Sequence, residues 1–163
     1  MKNVNRKQLR LPDYDYSTKG FYYVTVCTYN RNRLLGKIEN GKMILSRYGK
    51  IADYTWQDLK NHNSIELHEY VIMPDHIHGI IQLHEGQKDI SEIVRQFKTF
   101  TSKRINEFLK QNGLQPFSAG EIWQRSFYDH VIRDENDYLE KVQYIINNPL
   151  KEELYKNDGY MEN

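Results

Sequence analysis

Two apolar, strand-like segments separated by a two-residue turn lie near the middle of this chain. Residues 65–73 and 76–83 carry many large apolar side chains, and Pro74 and Asp75 stand between them. This pattern is typical of a β-hairpin. Because a hairpin makes its two strands antiparallel neighbours, the chain is restricted to folds that contain an antiparallel sheet.

The periodicity of the remaining residues predicts the other elements. Alternating β-branched and aromatic residues predict strands over 21–29 and 127–133, and helical periodicity predicts helices over 46–61, 90–109 and 134–148. Pro149 would end the last helix. The order β-α-β-β-α-β plus a terminal helix is that of an α+β, ferredoxin-like fold with an antiparallel sheet. We expect its first and third strands to be central, with the helices on one face and the other face open for substrate.

The composition is that of one domain without a membrane anchor. A chain of 163 residues with 39% hydrophobic content can bury one core. We expect a single domain over 1–163, with a basic arm at 1–19 and an acidic tail at 152–163. No apolar run approaches the roughly 18–20 residues that span a bilayer, and the N-terminus lacks a signal-peptide pattern. The sequence therefore predicts a cytoplasmic protein with no membrane partner.

The net charge of +1 conceals an uneven distribution of charge. Residues 134–163 hold eight acids and three bases, so the rest of the chain holds 20 bases and 14 acids. The bases that we select as candidate phosphate contacts are Arg6, Arg10, Arg31, Arg33, Arg95, Lys98 and Lys103. Solvated helix faces carry such charges equally often. Three clusters in one small chain nevertheless favour a nucleic-acid backbone, with tyrosines and Trp123 available for base stacking.

His76 and His78 stand directly after the turn, at the predicted start of a strand. Side chains at i and i+2 of a strand point to the same face, so both imidazoles can bind one metal ion. The alternative interpretation is two partly buried histidines near a strand end. A tyrosine on the last helix adds chemistry that the histidines lack.

That tyrosine, Tyr144, is predicted to lie away from the core. On a helical wheel it falls about 240° from Tyr138, on a polar face that also holds Asn148. The predicted buried stripe of this helix comprises Tyr138, Val142, Ile145 and Ile146. A tyrosine on a polar face beside an amide one turn later is a candidate nucleophile, although most of the 13 tyrosines must serve packing or the surface.

Four sequence blocks, MPDHIHGII, FKTFTSKRIN, IWQRSFYDHVIRDENDY and QYIINNPLK, occur in this order between residues 20 and 151. Together they resemble the REP-associated tyrosine transposases and, more broadly, the insertion-sequence-200-like single-tyrosine transposases of the HUH endonuclease superfamily. The resemblance implies a single-strand DNA endonuclease and strand transferase. In this family the tyrosine that matches Tyr144 attacks DNA, which yields a 5′-phosphotyrosine and a free 3′-OH.

The resemblance also implies the metal ligands and the partners. His76 and His78 would bind a divalent cation, Mg²⁺ or Mn²⁺, and Asn148 would be the third ligand, although many relatives carry Gln or Glu there. Trp123, Gln124 and Arg125 match a family block and are expected near DNA or in support of the tyrosine helix, with core packing an equal interpretation of Trp123. The implied partner is single-stranded, hairpin-forming DNA. Monomer and homodimer both stay open.

Three other classes of protein fit the sequence less well. A histidine-triad hydrolase needs a third alternate histidine where this chain has Ile80. A catalytically inactive DNA-binding relative would lack a ligand or the nucleophile, and all are present here. A replication-initiator or relaxase-type nuclease usually carries more domains.

For His130, a structural or DNA-contacting role is favoured over metal binding.

Overall fold

The computed structural model describes residues 19–86 and 88–157. Its strands are β1 (Gly20–Cys27), β2 (Gly36–Glu39), β3 (Lys42–Leu45), β4 (Ile65–Ile72), β5 (His76–Leu83) and β6 (Tyr128–Ile132), and its helices are α1 (Arg47–His62), α2 (Ile90–Gln111) and α3 (Glu135–Asn157). None of the helices in this described part is both long and apolar enough to cross a membrane. The expected basic arm, with Arg6 and Arg10, falls outside the described residues.

Four strands form one antiparallel sheet in the order β4-β5-β1-β6. This confirms the α+β, ferredoxin-like arrangement, in which the first and third strands of the sheet are central. The predicted hairpin is β4 and β5, and β5 begins and ends at the predicted residues. The ends of the other sheet strands, of α1 and of α2 differ from the predicted ends by at most two residues.

Helices α1 and α2 cover one face of this sheet. Ser46 caps α1 by accepting a hydrogen bond from the Gly49 N–H at 3.1 Å, as expected for a serine before a helix. The main apolar core lies between these helices and the sheet, and it includes Tyr22, Val24, Trp56, Ile77, Ile81 and Phe97. Trp56 packs so closely on β5 that a Cβ atom at Gly79 would collide with the indole, so only glycine fits there.

Helix α3 lies on the other face, which corrects the expectation that this face is free of helices. Ile145 of α3 packs against Tyr23, Ile80 and Ile132 in a second, smaller apolar cluster. Ile146, predicted to belong to the same buried stripe, is 56% exposed, so that prediction is wrong. The buried stripe of α3 is therefore narrower than the helical wheel predicts: Tyr138 and Val142 pack against the same cluster as Ile145, whereas Ile146 is not part of it.

The prediction that Pro149 ends the last helix is also wrong, since α3 continues to Asn157. Proline lacks an N–H, so the carbonyl four residues earlier loses its helical partner. Contacts made by the following turn offset this loss. Glu152 forms an ion pair with Arg33 at 2.9 Å, and Leu150 packs against Gly41.

Residues 36–45 form a second, two-stranded sheet that the sequence interpretation did not include. Strands β2 and β3 pair in antiparallel register, and Asn40 and Gly41 make the turn between them. Both turn residues have left-handed backbone angles, with φ of 52° and 70°. Asn-Gly is the favoured dipeptide for such a turn. The hairpin brings Gly41 against α3, and Arg33 just before β2 reaches the same helix.

Candidate functional site

His76 and His78 lie on β5, a central strand, and both are buried. Their rings meet on the face covered by α3, and their two Nε2 atoms are only 3.0 Å apart. Two ring nitrogens this close together, on a strand with neighbours on both sides, could bind one metal ion. The same-face prediction made from the i, i+2 spacing agrees with this geometry.

Asp75 orients His76. The Nδ1–H of His76 donates to the Asp75 carboxylate at 2.6 Å, which leaves the Nε2 lone pair directed into the site. Arg31 donates from Nε to the same carboxylate at 3.0 Å, and its backbone φ of 55° is left-handed. Burial opposes ionisation of Asp75, but the hydrogen bonds from His76 and Arg31 outweigh it and lower the pKa of this carboxyl group.

His78 is oriented by hydroxyl groups instead of a carboxylate. Its Nδ1 lies 2.7 Å from the Tyr23 hydroxyl and 2.8 Å from the Thr25 hydroxyl. A hydroxyl oxygen accepts as readily as it donates, so Nδ1 can carry the ring proton and leave Nε2 its lone pair. Burial, followed by the charges of His76 and Arg31, lowers the pKa of His78 to about 3, so the ring is neutral at physiological pH.

Tyr144 and Asn148 face this pair from α3. The Tyr144 ring centroid is 5.3 Å from that of His78 and 6.4 Å from that of Tyr23. Its side chain is on the cleft side of the helix, and the residue is 43% exposed. Tyr138 is on the same helix but packs elsewhere, with its hydroxyl 3.3 Å from His68 Nδ1. The predicted separation of the two tyrosines therefore agrees with the structure.

Asn148 is buried beside the two histidines, and all three line one cleft. Its amide nitrogen atom has no hydrogen-bond partner in the described part of the chain. The nitrogen and oxygen of an amide are interchanged by a 180° flip, so the same position can present an oxygen to a cation. Two imidazoles and one amide oxygen are acceptable ligands for a divalent metal, and they leave coordination positions open. The donor set therefore fits the cation that the resemblance implies.

No group of three or more His, Cys, Asp or Glu side chains suited to a metal occurs among residues 19–86 and 88–157. Any third ligand would accordingly be of another type, and the buried Asn148 amide beside the two histidines is the candidate. His130 does not join the pair. Its Nε2 donates to Asp137 at 2.8 Å, at the start of α3, which agrees with a structural role.

The cleft contains residues that the sequence interpretation missed. Lys151, Glu152 and Tyr155 line it together with Tyr144 and Asn148. All lie on α3, and three of them are beyond Pro149, where no helix was predicted. Lys151, Glu152 and Tyr155 lie 7, 8 and 11 residues after Tyr144, a spacing that places them on the same side of a helix and would have revealed them, had the predicted helix been extended.

The predicted basic residues are divided between the two faces. Arg31 and Arg33 line the histidine cleft, in ion pairs with Asp75 and Glu152 respectively. Arg95, Lys98 and Lys103 lie on α2, across the sheet, where Arg95 and Lys103 are exposed.

Two further predicted contacts take part in packing. The Lys98 ammonium donates to the carbonyls of Gln124, Arg125 and Ser126 at 2.7, 3.2 and 3.1 Å, and burial lowers its pKa to about 8. Trp123 is only 5% exposed and packs on Phe97, so its ring is not open to a base; the core-packing interpretation describes it. Arg125 is exposed in the loop before β6.

Comparison with known proteins identifies the class of protein that has this fold. Residues 18–148 match the sequence profile of the family described as Transposase IS200 like. The chain therefore belongs to the IS200-like transposase family. Transposases cleave DNA, and that activity is what membership implies.

The chain is also similar to proteins of two bacteria and to a solved structure. A REP-associated tyrosine transposase of Escherichia coli strain K12 is 34% identical over 57% of this chain and 49% of its own length. An uncharacterised protein of Haemophilus influenzae is 32% identical, and the match covers 93% of each chain. A solved structure of a REP-associated tyrosine transposase bound to a REP hairpin is similar with a TM-score of 0.63, at 27% identity over 88% of this chain and 74% of that one.

Proposed function

We propose that this protein cleaves and rejoins single-stranded DNA, with Tyr144 as the nucleophile. The observation that carries the proposal is that strand β5 and helix α3 bring the histidine pair and Tyr144 together. The paired Nε2 atoms of His76 and His78 are 3.0 Å apart, and the Tyr144 ring lies 5.3 Å from that of His78 on an exposed side of α3. A nucleophile beside a phosphate-activating centre is the arrangement that phosphodiester cleavage needs.

The proposed reaction is an in-line displacement at phosphorus. The Tyr144 oxygen forms a bond to phosphorus as the bond to the 3′ oxygen breaks, and the phenol proton passes to water. The departing 3′ oxygen takes up a proton and becomes a free hydroxyl group. A 5′-phosphotyrosine remains, so the energy of the phosphodiester is retained and a different 3′-OH can reverse the step and join strands.

His76, His78 and Asn148 would hold the divalent cation, Mg²⁺ or Mn²⁺. When bound, the ion withdraws charge from the non-bridging phosphate oxygens and orients the phosphorus. Asp75, Tyr23 and Thr25 fix the imidazole rings for this purpose through their hydrogen bonds to the Nδ1 atoms. These three residues would therefore hold the two imidazole rings in a fixed orientation.

The proposed substrate is single-stranded DNA next to a hairpin. The structural relative named above is bound to a REP hairpin. Here Arg31, Arg33 and Lys151 line the cleft and supply positive charge for a phosphate backbone. We infer cytoplasmic action on DNA, either as a monomer or as a homodimer.

The test is covalent capture of DNA on the protein. The purified chain, incubated with end-labelled hairpin DNA and Mn²⁺, is expected to give a labelled band on a denaturing gel. Tyr144→Phe removes one oxygen and should abolish this band while DNA binding persists. Tyr138→Phe, a change of the same size on the same helix, should leave the band intact because Tyr138 packs near His68.

Peptide mass spectrometry of the trapped complex identifies the modified residue. A nucleotide on any tyrosine other than Tyr144, or an adduct formed by the Phe variant, would contradict the assignment. Binding of the hairpin without adduct formation by the unaltered chain would instead support a DNA-binding relative without catalysis.

A further inference from the structure

A second cleft opens on the other side of Tyr144, between β6 and α3. Its floor is formed by Tyr23, Thr25 and His78, and Tyr144 and Lys151 separate it from the histidine cleft. The strand register explains its position. Thr25 pairs with His78 on one side and with Tyr128 on the other, so the three side chains form a row across the sheet. By strand spacing, the Cα atoms of Tyr128 and His78 are roughly 10 Å apart.

Tyr128 provides an aromatic wall for this cleft. It is on an edge strand and is 45% exposed, and its ring meets that of Tyr23 edge-on, with centroids 6.5 Å apart. This contact leaves Tyr128 substantially exposed at the side of the cleft. Exposed tyrosine faces on a sheet are suited to stacking against an unpaired base.

The opposite wall is polar and lies on α3. Gln143 and Asn147, one helical turn apart, present exposed carboxamides, and neither side chain has a hydrogen-bond partner within the described residues. A carboxamide offers a donor and an acceptor side by side, which matches the edge of a nucleobase. Lipids and simple anions have no such edge to satisfy these groups.

Positive charge completes the cleft. The Lys151 ammonium lies 5.6 Å from the Tyr144 ring centroid, and the Lys141 ammonium lies 5.6 Å from that of Tyr23. The Lys141 ammonium forms ion pairs with the carboxylates of Asp137 and Glu140, each at 4.0 Å. Lys151 has no ion pair in the described part of the chain. Lys151 lines both clefts and is therefore the ammonium group placed to meet a phosphate between them.

We propose that this second cleft binds one unpaired nucleotide adjoining the phosphate that Tyr144 attacks. Tyr128 stacks on its base, Gln143 and Asn147 hydrogen-bond to the base edge, and Lys151 contacts the phosphate. The inference rests on the proposed function for the location of the reacting phosphate. It adds a base-reading site, and therefore sequence preference next to the cleavage point.

The test measures binding, not cleavage, and uses Tyr144→Phe protein as the background. The probe is a fluorescein-labelled DNA hairpin with unpaired flanks, in which single abasic sites are placed at successive flanking positions. Tyr128→Ala is expected to weaken binding by about 5- to 100-fold, and Tyr128→Phe to leave it unchanged. An abasic site at one position should abolish the difference in affinity between the Tyr128→Ala variant and the protein that retains Tyr128, because no base remains to stack.

Matched controls separate this outcome from a general loss of affinity. Tyr54→Ala removes an exposed tyrosine on α1, across the sheet, and should bind normally. If Tyr128→Ala unfolds, Gln143→Ala, at an exposed helix position, still tests the site: its preference among the four bases should change at one of the unpaired flanking positions. Unchanged binding by Tyr128→Ala, no coupled abasic position, or unchanged base preference in Gln143→Ala would each overturn the proposal. Because none of these measurements needs an adduct, failure of cleavage by Tyr144 would leave them readable.

Discussion

His78 and Gly79 are neighbours on β5, and they face opposite sides of the sheet. On the side of α1 and α2, Gly79 has no space for even one added carbon atom because Trp56 lies against it. On the side of α3, His78 is surrounded by hydroxyl groups and a second imidazole. One face of the strand therefore serves close packing, and the other serves a polar arrangement directed into a cleft.

The two faces of the sheet contribute differently to stability and to the proposed chemistry. The packed face buries large apolar side chains, and their removal from water is the main favourable term in folding. The polar face buries His76, His78 and Asn148, which contribute little net stability even when hydrogen-bonded. Changes on the two faces should therefore have separable consequences, although the residues are adjacent in sequence.

The largest expected effect comes from comparing Trp56→Ala with His78→Ala. Loss of the buried indole should lower the free energy of unfolding by about 3–5 kcal/mol, since it leaves a large cavity. His78→Ala opens space beside a cleft that water can enter, so it should lower that free energy by only about 1 kcal/mol while abolishing Mn²⁺ binding. Urea unfolding and calorimetric Mn²⁺ titration check both. Equal destabilisation by the two variants would contradict the view that the packed face provides most of the stability.

A smaller effect is expected at Asp75, which hydrogen-bonds to His76, a proposed metal ligand. Asp75→Asn keeps the size of the side chain but removes the charge that fixes the His76 Nδ1–H. Loss of such a supporting hydrogen bond should weaken Mn²⁺ binding by about 10- to 100-fold. Asp53→Asn is the matched control, because Asp53 accepts a hydrogen bond from Tyr70 away from the site. Mn²⁺ affinity that is unchanged in Asp75→Asn, or equally reduced in both variants, would count against this role.

The packed face was the more predictable from sequence. Its strands and its two helices have local patterns of apolar residues, and the hairpin β4-β5 was predicted with β5 at its observed ends. The histidine pair and Tyr144 were also predictable, because strand and helix periodicity determine which side chains share a face. Their proposed roles in metal binding and nucleophilic attack rest on the family resemblance.

The polar face depends on contacts that are distant in sequence. Proline in a helix interior costs about 3 kcal/mol, so a local pattern predicts an end at Pro149. The ion pair of Glu152 with Arg33 and the packing of Leu150 on Gly41 stabilise the continuation, and no local pattern reveals them. Distant contacts matter on the opposite side of the sheet as well: the sequence around Lys98 on α2 suggests a free cation, but its ammonium group donates to three backbone carbonyls.

The smallest expected effect concerns one carboxylate of the packed side, Asp58, which joins α1 to α2. It accepts hydrogen bonds from Asn61 at 3.0 Å and from Arg104 at 2.6 Å, and these outweigh burial and lower its pKa. A carboxyl group whose pKa is lower in the folded state stabilises the fold above its unfolded pKa, near about 4, and loses that contribution as the pH falls through the folded value. Asp58→Asn should therefore lower the free energy of unfolding by about 1–2 kcal/mol at pH 7, and the difference from the unaltered chain should shrink in acid. Urea unfolding measured across this pH range checks the prediction, with Glu107→Gln, an exposed change on α2, as the control that should show no such trend. If the difference in the free energy of unfolding grew as the pH fell, Asp58 would not be stabilised as a carboxylate. Its ion pair with Arg104 would then not stabilise the packed face.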